Sequence, residues 1–405
     1  MNTPAPAADA SRDLLLDEHA RAFRGDVADF LARELAPRTS RIENEGDWGA
    51  VLELVRALGE AGYLKLMFGD LYDGPVPNPG LTHATILSEE SARLNYAFET
   101  TIATALSCAF PLHRYACEAV RERHLPGIVE GRTIGAIGVT EPNVGSDSAG
   151  MQTRIRREGD EWVIDGFKRY ISNASVADVY IVYGITDPEV PAQRGMTALV
   201  VPADTPGLGF PRNYTFMGRR GCVVGEVSFD GVRVPADHLL GETNAGFRIM
   251  LGMFNFERTI LGGSGLGVAR SAFEIACAHA QSRVSFGAAL GTKQLIWDRI
   301  AEMSWRIDAA ELLTYRAARL YDEGTLVPKA LMKPAAMAKL VATETAVHCS
   351  DSTVQVLGGD GLTKEYGRAE QIYRDARALT IVGGTSEMAK YLVASVDLPG
   401  LKPDL

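Results

Sequence analysis

The spacing of hydrophobic residues divides the chain into three parts. In the first part, apolar residues recur every three to four positions, a pattern that predicts helices. One helix is predicted at 51–58 and a long one at 87–106, with a proline-rich loop at 75–80 between them. An earlier amphipathic helix is predicted by Leu14, Leu15, Ala22, Val27, Phe30 and Leu31.

The second part, from about residue 131 to 241, has a different texture. Short runs of β-branched and aromatic residues alternate with turn residues, which predicts a compact β domain. The dipeptides Gly159-Asp160 and Asp230-Gly231 predict turns between strands. The predicted strands are Trp162–Ile164, Val179–Tyr183, Thr197–Val201 and Val223–Val234.

In the third part, from Gly246, helical spacing returns. A long helix that continues to about Tyr321 is predicted to end at Gly324 and Pro328. The layout is therefore helical, then β, then helical, with domains predicted at 1–130, 131–241 and 242–405. The stripe that we predict to be buried on the long helix consists of Leu295, Ile296, Ile300, Met303, Ile307, Leu312 and Leu313.

Composition narrows the class of protein. The chain has 405 residues, of which 46% are hydrophobic and 23% charged, as in ordinary globular proteins. A net charge of −10 argues against a nucleic-acid partner. Five scattered cysteines without a C-x-x-C pair predict a reducing compartment, no disulfides and no metal site.

The same properties lead us to expect a cytoplasmic protein. Residues 1–10 lack the charged start and apolar run of a signal peptide, and we expect them to be disordered. No uncharged apolar run approaches the roughly 18 residues that cross a bilayer. We therefore predict no membrane span.

Several segments have residue types suited to ligand chemistry, although each also has a simple structural explanation. Thr140–Asp147 combines hydroxyls with free backbone N–H groups, which suits an anion or a polar ring edge, or a tight turn that caps a strand. Lys168–Asn173 taken alone is an ordinary strand. Glu257-Arg258 taken alone is a surface ion pair, and the glycines of 358–361 are weak evidence for close backbone approach.

Taken together, these segments resemble the signatures of the acyl-CoA dehydrogenase family. The family patterns T-E-P-x-x-G-S-D and K-x-W-I-[TS]-N match residues 140–147 and 168–173, with Tyr170 in place of Trp. The patterns R-x-[TS]-F-G and G-T-[SN]-[EQ] match residues 283–287 and 384–387. The resemblance spans about 131–393, and the segment before Arg374-Asp375 is one residue longer than usual.

The resemblance implies the family's fold and its cofactor. The fold is α+β and multidomain, with an N-terminal helical domain, a central β-barrel-like or β-sandwich domain and a C-terminal four-helix bundle. The cofactor is FAD, with Thr140 on the flavin's pyrimidine edge and Arg283 reaching the pyrophosphate of a neighbouring subunit. The implied FAD-binding residues are Val139, Thr140, Gly145, Ser146, Tyr170, Ile171, Ser172, Arg283, Ser285, Phe286, Gln294, Gln355, Gly358, Gly359, Thr385, Ser386 and Glu387.

The catalytic base is the main departure from the family pattern. Gly383 stands where the family usually has its catalytic glutamate. In the isovaleryl- and long-chain-specific branches the glutamate instead stands immediately before the arginine of the family's D-x-x-R pattern, and Glu257 precedes Arg258 in the same way. We therefore predict that Glu257 is the base and that the Gly383 N–H still binds the thioester oxygen. Ser146, Asn255, Arg258 and Gly384 are the implied substrate contacts; Asn255 replaces the family's aspartate.

The implied activity is FAD-dependent α,β-desaturation of an acyl thioester, carried by coenzyme A or by an acyl carrier protein. The implied partners are an electron-transfer flavoprotein and further copies of the chain, in a tetramer or dimer. One alternative is a flavin-dependent N- or S-hydroxylating oxygenase on the same fold, which needs no carboxylate at either base position. Another is a non-catalytic acyl-thioester-binding protein that has lost its base.

Overall fold

The computed structural model describes residues 15–71, 79–324 and 328–400. The predicted disorder of residues 1–10, the position of Leu14, and Pro75 and Pro77 of the predicted loop lie outside these ranges. Helices come first, a sheet follows, and helices complete the chain, as predicted. The domain boundaries at 130/131 and 241/242 remain predictions.

The N-terminal part is helical. Its first helix begins at Glu18, after the N-cap Asp17, whose side chain accepts from the Ala20 N–H. Leu15 therefore precedes the helix, and Ala22 faces solvent rather than the core, because the buried stripe contains Phe23, Val27 and Leu31. The helices are α1 (Glu18–Glu34), α2 (Trp48–Glu60), α3 (Leu81–Leu94), α4 (Tyr96–Tyr115) and α5 (Glu118–Val129).

The prediction of one long helix at 87–106 is wrong in one respect: the structure has two helices there, which meet at Asn95. Asn95 has an extended backbone (φ −157°) and ends α3. Its side chain then accepts from the Phe98 N–H at 2.9 Å and caps α4. Asparagine is a preferred N-cap residue, but the apolar residues on both sides hid this signal.

The central part is one curled seven-stranded sheet, which confirms the predicted β domain. The strand order is β1-β4-β2-β3-β7-β6, and β5 pairs with β4. A short helix, α6 (Ala192–Gly195), precedes β5. The strands are β1 (Gly135–Gly138), β2 (Arg154–Glu158), β3 (Glu161–Ser172), β4 (Val179–Ile185), β5 (Met196–Pro202), β6 (Leu208–Gly209) and β7 (Val224–Pro235).

Asp230-Gly231 forms no turn between strands, so that prediction is wrong. Both residues lie within β7, where the pairing with β3 shifts register between Ile164 and Gly166. Gly231 has φ +58° and donates its N–H to Asp165 at 2.8 Å. The left-handed glycine is thus used for a bulge in a long strand.

The C-terminal part is a helical bundle built around α7. The small residues of α7 allow close helix contacts: a side chain at Gly263 would lie 2.6 Å from Thr85 of α3, and one at Gly265 would lie 2.7 Å from Ala342. The elements are α7 (Gly246–Ser282), β8 (Val284–Ser285), β9 (Ala288–Ala289), α8 (Gln294–Asp322), α9 (Pro328–Leu357), α10 (Ala369–Leu379) and α11 (Ser386–Asp397).

The stripe predicted on α8 is only partly buried. Met303 and Ile307 lie in the core, but Leu295 and Leu312 are exposed. The helix ends at Asp322, before Gly324, and Pro328 begins α9. In the described ranges, no helix is long and apolar enough to cross a membrane.

Candidate active site

Glu257 and Gly383 face each other across the space between α7 and the loop from α10 to α11. A side chain built on Gly383 would start 3.8 Å from the Glu257 carboxyl group. It would also lie 2.3 Å from Leu261 Cδ1, one helical turn after Glu257. Gly383 has φ +64°, a backbone conformation that favours glycine. The Leu261 methyl and the backbone conformation together explain why residue 383 has no side chain.

Glu257 lies in an environment that suits a proton acceptor. The side chain is partly buried, and within the described ranges its carboxyl group has no hydrogen-bond or ion-pair partner. Burial raises the pKa of Glu257 to about 7, while Arg258 and Lys339 oppose that rise electrostatically. Near neutral pH, a substantial fraction of Glu257 is therefore ionised and not already engaged as an acceptor.

The loop that carries Gly383 is closed and anchored. The Ser386 N–H donates to the Thr380 carbonyl at 3.0 Å, and Thr385 caps α11 through the Met388 N–H. The Gly384 carbonyl accepts from Lys339 Nζ at 2.8 Å. Among the described residues, none accepts from the Gly383 N–H, so this donor is available to a ligand.

Arg258 and Asn255 lie beside this loop on α7. Arg258 donates to Asn255 Oδ1 at 3.4 Å and covers the Phe254 ring. Its guanidinium is 3.9 Å from the position of a side chain on Gly384. The structure thus brings Glu257, Arg258 and Asn255 together with the two glycines.

The first predicted flavin-binding segment, residues 139–147, begins at the end of β1, close to Glu257. β1 pairs with β4, with Gly138 opposite Val182, and the next β4 residue, Tyr183, lies within electrostatic reach of Glu257. Val139 and Thr140 follow directly, and the exposed Gly145 and Ser146 lie further along the loop.

Glu141 stabilises that loop, and both of its carboxylate oxygens accept hydrogen bonds. It accepts from the Gln152 and Thr153 N–H groups at 2.6 and 2.9 Å. It also accepts from the fully buried Lys168 ammonium at 2.8 Å. Glu141 therefore satisfies donors that are buried around the loop.

The second predicted flavin segment places an aromatic face at the surface. Tyr170 has φ +58°, because β3 bulges between Lys168 and Ile171. Its ring is 49% exposed and packs at 5.0 Å from Tyr214. Ile171 is buried and Ser172 is partly exposed. A bound aromatic ring can therefore stack here.

Apart from Thr385, Ser386 and Glu387, which belong to the Gly383 loop and the start of α11, the remaining predicted FAD residues lie at the other end of α7. Arg283 follows Glu257 by 26 positions (283 minus 257) along one helix, which at 1.5 Å per residue is about 39 Å. Asp360 and Arg283 both affect the ionisation of His279, so the 358–361 glycines lie near this end too. The side chains that are exposed here include Arg283, Phe286, Gln294 and Gln355. The structure therefore does not bring this group to Glu257 of the same chain.

The residues present fit an FAD molecule. A side chain at Gly145, Gly358 or Gly359 would meet no atom within 4 Å, so the backbone is open to a ligand at all three glycines. Exposed aromatic rings and an exposed guanidinium provide surfaces for the isoalloxazine and the pyrophosphate. In the part of the chain that is described, no group of His, Cys, Asp and Glu could hold a metal ion.

Sequence reasoning missed Leu261, Lys339 and Glu99. Lys339 is fully buried in an alanine-rich face of α9, and a lone lysine at a buried helical position could have been noticed. Glu99 is also fully buried and accepts from Ser88 and Ser264 at 2.6 and 2.8 Å. Nothing in the sequence indicates that Leu261 meets Gly383, because that contact depends on the loop conformation.

Comparison with known proteins identifies the family. The models of the acyl-CoA dehydrogenase N-terminal, middle and C-terminal domains match residues 17–132, 136–232 and 244–396. The chain therefore belongs to the acyl-CoA dehydrogenase family and is an FAD-dependent oxidoreductase with the three-domain fold of that family.

Individual relatives cover nearly the whole chain. A probable acyl-CoA dehydrogenase of Bacillus subtilis is 33% identical over 94% of this chain and 98% of its own length. Butyryl-CoA dehydrogenase of Megasphaera elsdenii has a TM-score of 0.88 and 31% identity, over 95% of this chain and 99% of that one. Glutaryl-CoA dehydrogenase of Mycobacterium smegmatis, solved with FADH2, has a TM-score of 0.87 and 26% identity, over 99% and 100% of the two chains.

Proposed function

We propose that this enzyme removes the α-proton of an acyl thioester with Glu257 while the β-hydride leaves to FAD. The observation that carries this proposal is the 3.8 Å separation between the Glu257 carboxyl group and the side-chain position of Gly383. A carboxylate from α7 thereby occupies the region that a side chain at residue 383 would enter. A base placed there contributes about 10²–10⁴-fold to the rate.

The neighbouring groups complete a site for this chemistry. The free Gly383 N–H donates to the thioester oxygen and stabilises the negative charge that develops as the α-proton leaves. Arg258 and Lys339 favour the ionised form of Glu257, so that it can accept the proton. FAD, when bound, supplies the hydride acceptor. Thr140, Tyr170 and Ser172 would hold its ring system, and Asn255, Arg258, Gly384 and Ser146 would contact the substrate.

We propose coenzyme A as the carrier of the acyl group. The support is kinship, because relatives that match almost the full chain are named for CoA thioesters such as butyryl-CoA and glutaryl-CoA. An acyl carrier protein is the alternative carrier. The position of the base does not depend on the length of the acyl chain, so the substrate must be identified by assay.

The test is anaerobic bleaching of the bound flavin by a panel of acyl thioesters. Butyryl, isovaleryl, glutaryl and longer acyl groups are presented on coenzyme A and on acyl carrier protein at equal concentration. Rapid loss of the flavin absorbance with a CoA thioester supports the proposal. Bleaching by acyl carrier protein conjugates alone would overturn the proposal that coenzyme A carries the acyl group. No bleaching by any thioester, with oxygen-dependent hydroxylation of an amine or thioether, would replace dehydrogenation with the oxygenase alternative.

We also propose that two copies of the chain share each flavin site. Arg283 lies about 39 Å along α7 from Glu257, and the nearby Phe286 is 96% exposed, which supports a role of both residues in the site of another copy. The expected assembly is a homotetramer or a dimer, with electrons passed to an electron-transfer flavoprotein. A cytoplasmic location stays a prediction and rests on the five scattered cysteines, which are all unpaired.

A further inference from the structure

Two charged side chains of α9 hold the loop that carries Gly383. The fully buried Lys339 donates from Nζ to the Gly384 carbonyl at 2.8 Å. Five residues later on the same helix, Glu344 accepts from the Ser386 hydroxyl. The loop is therefore attached to α9 on both sides of Thr385.

An ammonium group in this position is costly and needs compensation. Burial disfavours its charged form, and together with the nearby Arg258 it lowers the pKa of Lys339 to about 8. Glu257, Glu344 and Glu387 favour the charge, and the Gly384 carbonyl accepts one of the ammonium protons. An apolar side chain would fill this space without that cost, so the ammonium is not needed for packing.

The loop needs an external anchor because of its two consecutive glycines. Gly383 and Gly384 have φ values of +64° and +99°, and glycine has more backbone freedom to lose than any other residue. The hydrogen bond from Lys339 fixes the peptide that joins Gly384 to Thr385. Together with the bond from Ser386 N to the Thr380 carbonyl, it restricts the rotations that would turn the Gly383 N–H away from the site.

Lys339 also belongs to the set of charges around Glu257. Arg258 comes from the same helix as Glu257, and Lys339 comes from α9; both favour the carboxylate. Glu99 of α4 and Tyr183 of β4 also lie within electrostatic reach of Glu257. Of the two cations, Lys339 is the one that also binds the Gly383–Gly384 loop.

Building on the proposed function, we propose that Lys339 is a positioning residue for dehydrogenation. Its ammonium group orients the Gly383 N–H through the Gly384 carbonyl and provides a buried positive charge next to the Glu257 carboxylate. Lys339 touches neither the reacting atoms nor the thioester, and acts through these two neighbours.

Two substitutions separate the two roles. Lys339→Met removes both the hydrogen-bond donor and the charge, whereas Lys339→Gln keeps an amide donor and removes only the charge. Lys333→Met is the matched control, because Lys333 lies on the same helix but forms a partly exposed ion pair with Asp397. FAD content, read from absorbance, establishes that each variant is folded and loaded.

The first readout needs no substrate. The ionisation of Glu257 is followed by infrared titration of its carboxyl band, which is assigned by its loss in Glu257→Gln. Removing a positive charge destabilises the carboxylate, so the midpoint moves to higher pH in both Lys339 variants and stays in place in Lys333→Met. Because no turnover is involved, this result is independent of whether any acyl thioester bleaches the flavin.

The second readout is the limiting rate of flavin reduction above the Glu257 midpoint, where the base is ionised in every variant. Lys339→Met is expected to lose about tenfold or more, because misplaced groups in an active site cost rate steeply; Lys339→Gln is expected to lose less. An unchanged midpoint in both Lys339 variants, or equal limiting rates in parent and Lys339→Met, would overturn the proposal. If one of the two Lys339 variants does not retain FAD, the infrared titration of the other Lys339 variant tests the proposal.

Discussion

At the scale of a single residue, two opposing effects set the pKa of Glu257. Burial raises its pKa to about 7, and Arg258 and Lys339 keep it from rising further. A base must be ionised to accept a proton but must also bind that proton strongly. A carboxyl group that titrates near the working pH meets both needs.

The pH dependence of flavin reduction follows from this shift. The second-order rate constant for reduction by an acyl thioester reports the free enzyme. Because the proposed base acts in its ionised form, this constant should rise with pH through a midpoint near 7, about tenfold per unit on the acid side. Anaerobic stopped-flow measurements between pH 5.5 and 8.5 check this. A constant that does not change over that range would contradict the assignment.

Gly383→Ala should destabilise the protein. The left-handed φ of +64° costs alanine about 1 kcal/mol, and the Leu261 methyl at 2.3 Å from the new side chain adds about 1–3 kcal/mol of overpacking. Thermal unfolding of Gly383→Ala, Leu261→Ala and the double variant measures the coupling. The double variant should lose less stability than the sum of the single losses. The control is Gly25→Ala on α1, which has open space around it and should lose no stability. Stability losses of Gly383→Ala and Leu261→Ala that simply add in the double variant would exclude the contact with Leu261.

At this scale, the sequence indicated both parts of the proposed relocation of the catalytic base, a glutamate at 257 and a glycine at 383. It did not indicate why residue 383 is a glycine. Glu257 and Gly383 could be recognised because each lies within a local motif at a fixed position. The partners of Leu261 and Lys339 could not, even though a lone lysine in an alanine-rich helix is noticeable, because these partners lie 122 and 45 positions away (383 minus 261, and 384 minus 339). Such contacts arise from packing α7 and α9 against one loop, and no local pattern encodes them.

At the scale of elements, a single cap decides how the α3–α4 region folds. Asn95 turns the chain out of α3 and begins α4 with a side-chain acceptor for the Phe98 N–H. Apolar periodicity alone predicted one continuous helix, because it responds to buried faces and ignores a cap buried among them. The bulge at Gly231 was missed for a related reason: a glycine next to aspartate signals a left-handed residue, and bulges and turns use it alike.

Asn95→Ala should therefore lower the stability of the protein. Loss of an N-cap costs about 0.5–2 kcal/mol, and the site is fully buried, so water cannot replace the missing acceptor. Asn95→Ser retains a hydroxyl acceptor and should recover most of the loss. Thermal unfolding of the two FAD-loaded variants checks this. Equal melting temperatures for Asn95→Ala and the parent would show that Asn95 does not cap α4.

At the scale of the whole molecule, the residues that we predict to bind FAD form two groups, one at each end of α7. One group follows β1 and the Gly383 loop, which approach Glu257. The other group, with Arg283 and Phe286, is exposed. The motifs of both groups could be recognised in the sequence, since each is local. Their separation could not, because it depends on how far α7 runs without interruption.

Arg283→Gln should weaken the retention of FAD. A charge-assisted bond between guanidinium and phosphate is worth about 1.5–3 kcal/mol, so affinity should fall about 10- to 100-fold. The ratio of FAD to protein after dilution and gel filtration measures this. Arg316→Gln, an exposed arginine on α8, is the control and should retain FAD. Full retention by Arg283→Gln would exclude a contact with the cofactor.

The most direct test of the account is reduction of the flavin in Glu257→Gln under anaerobic conditions. This substitution keeps the size of the side chain and removes its basicity. We predict that the variant binds FAD as the parent does and that its flavin is reduced by the best acyl thioester at least about 10²-fold more slowly. Glu274→Gln on the same helix, which disrupts the partly exposed pair with Arg93, should be reduced at the parent rate. Reduction of the Glu257→Gln flavin at the parent rate would contradict the assignment of the base.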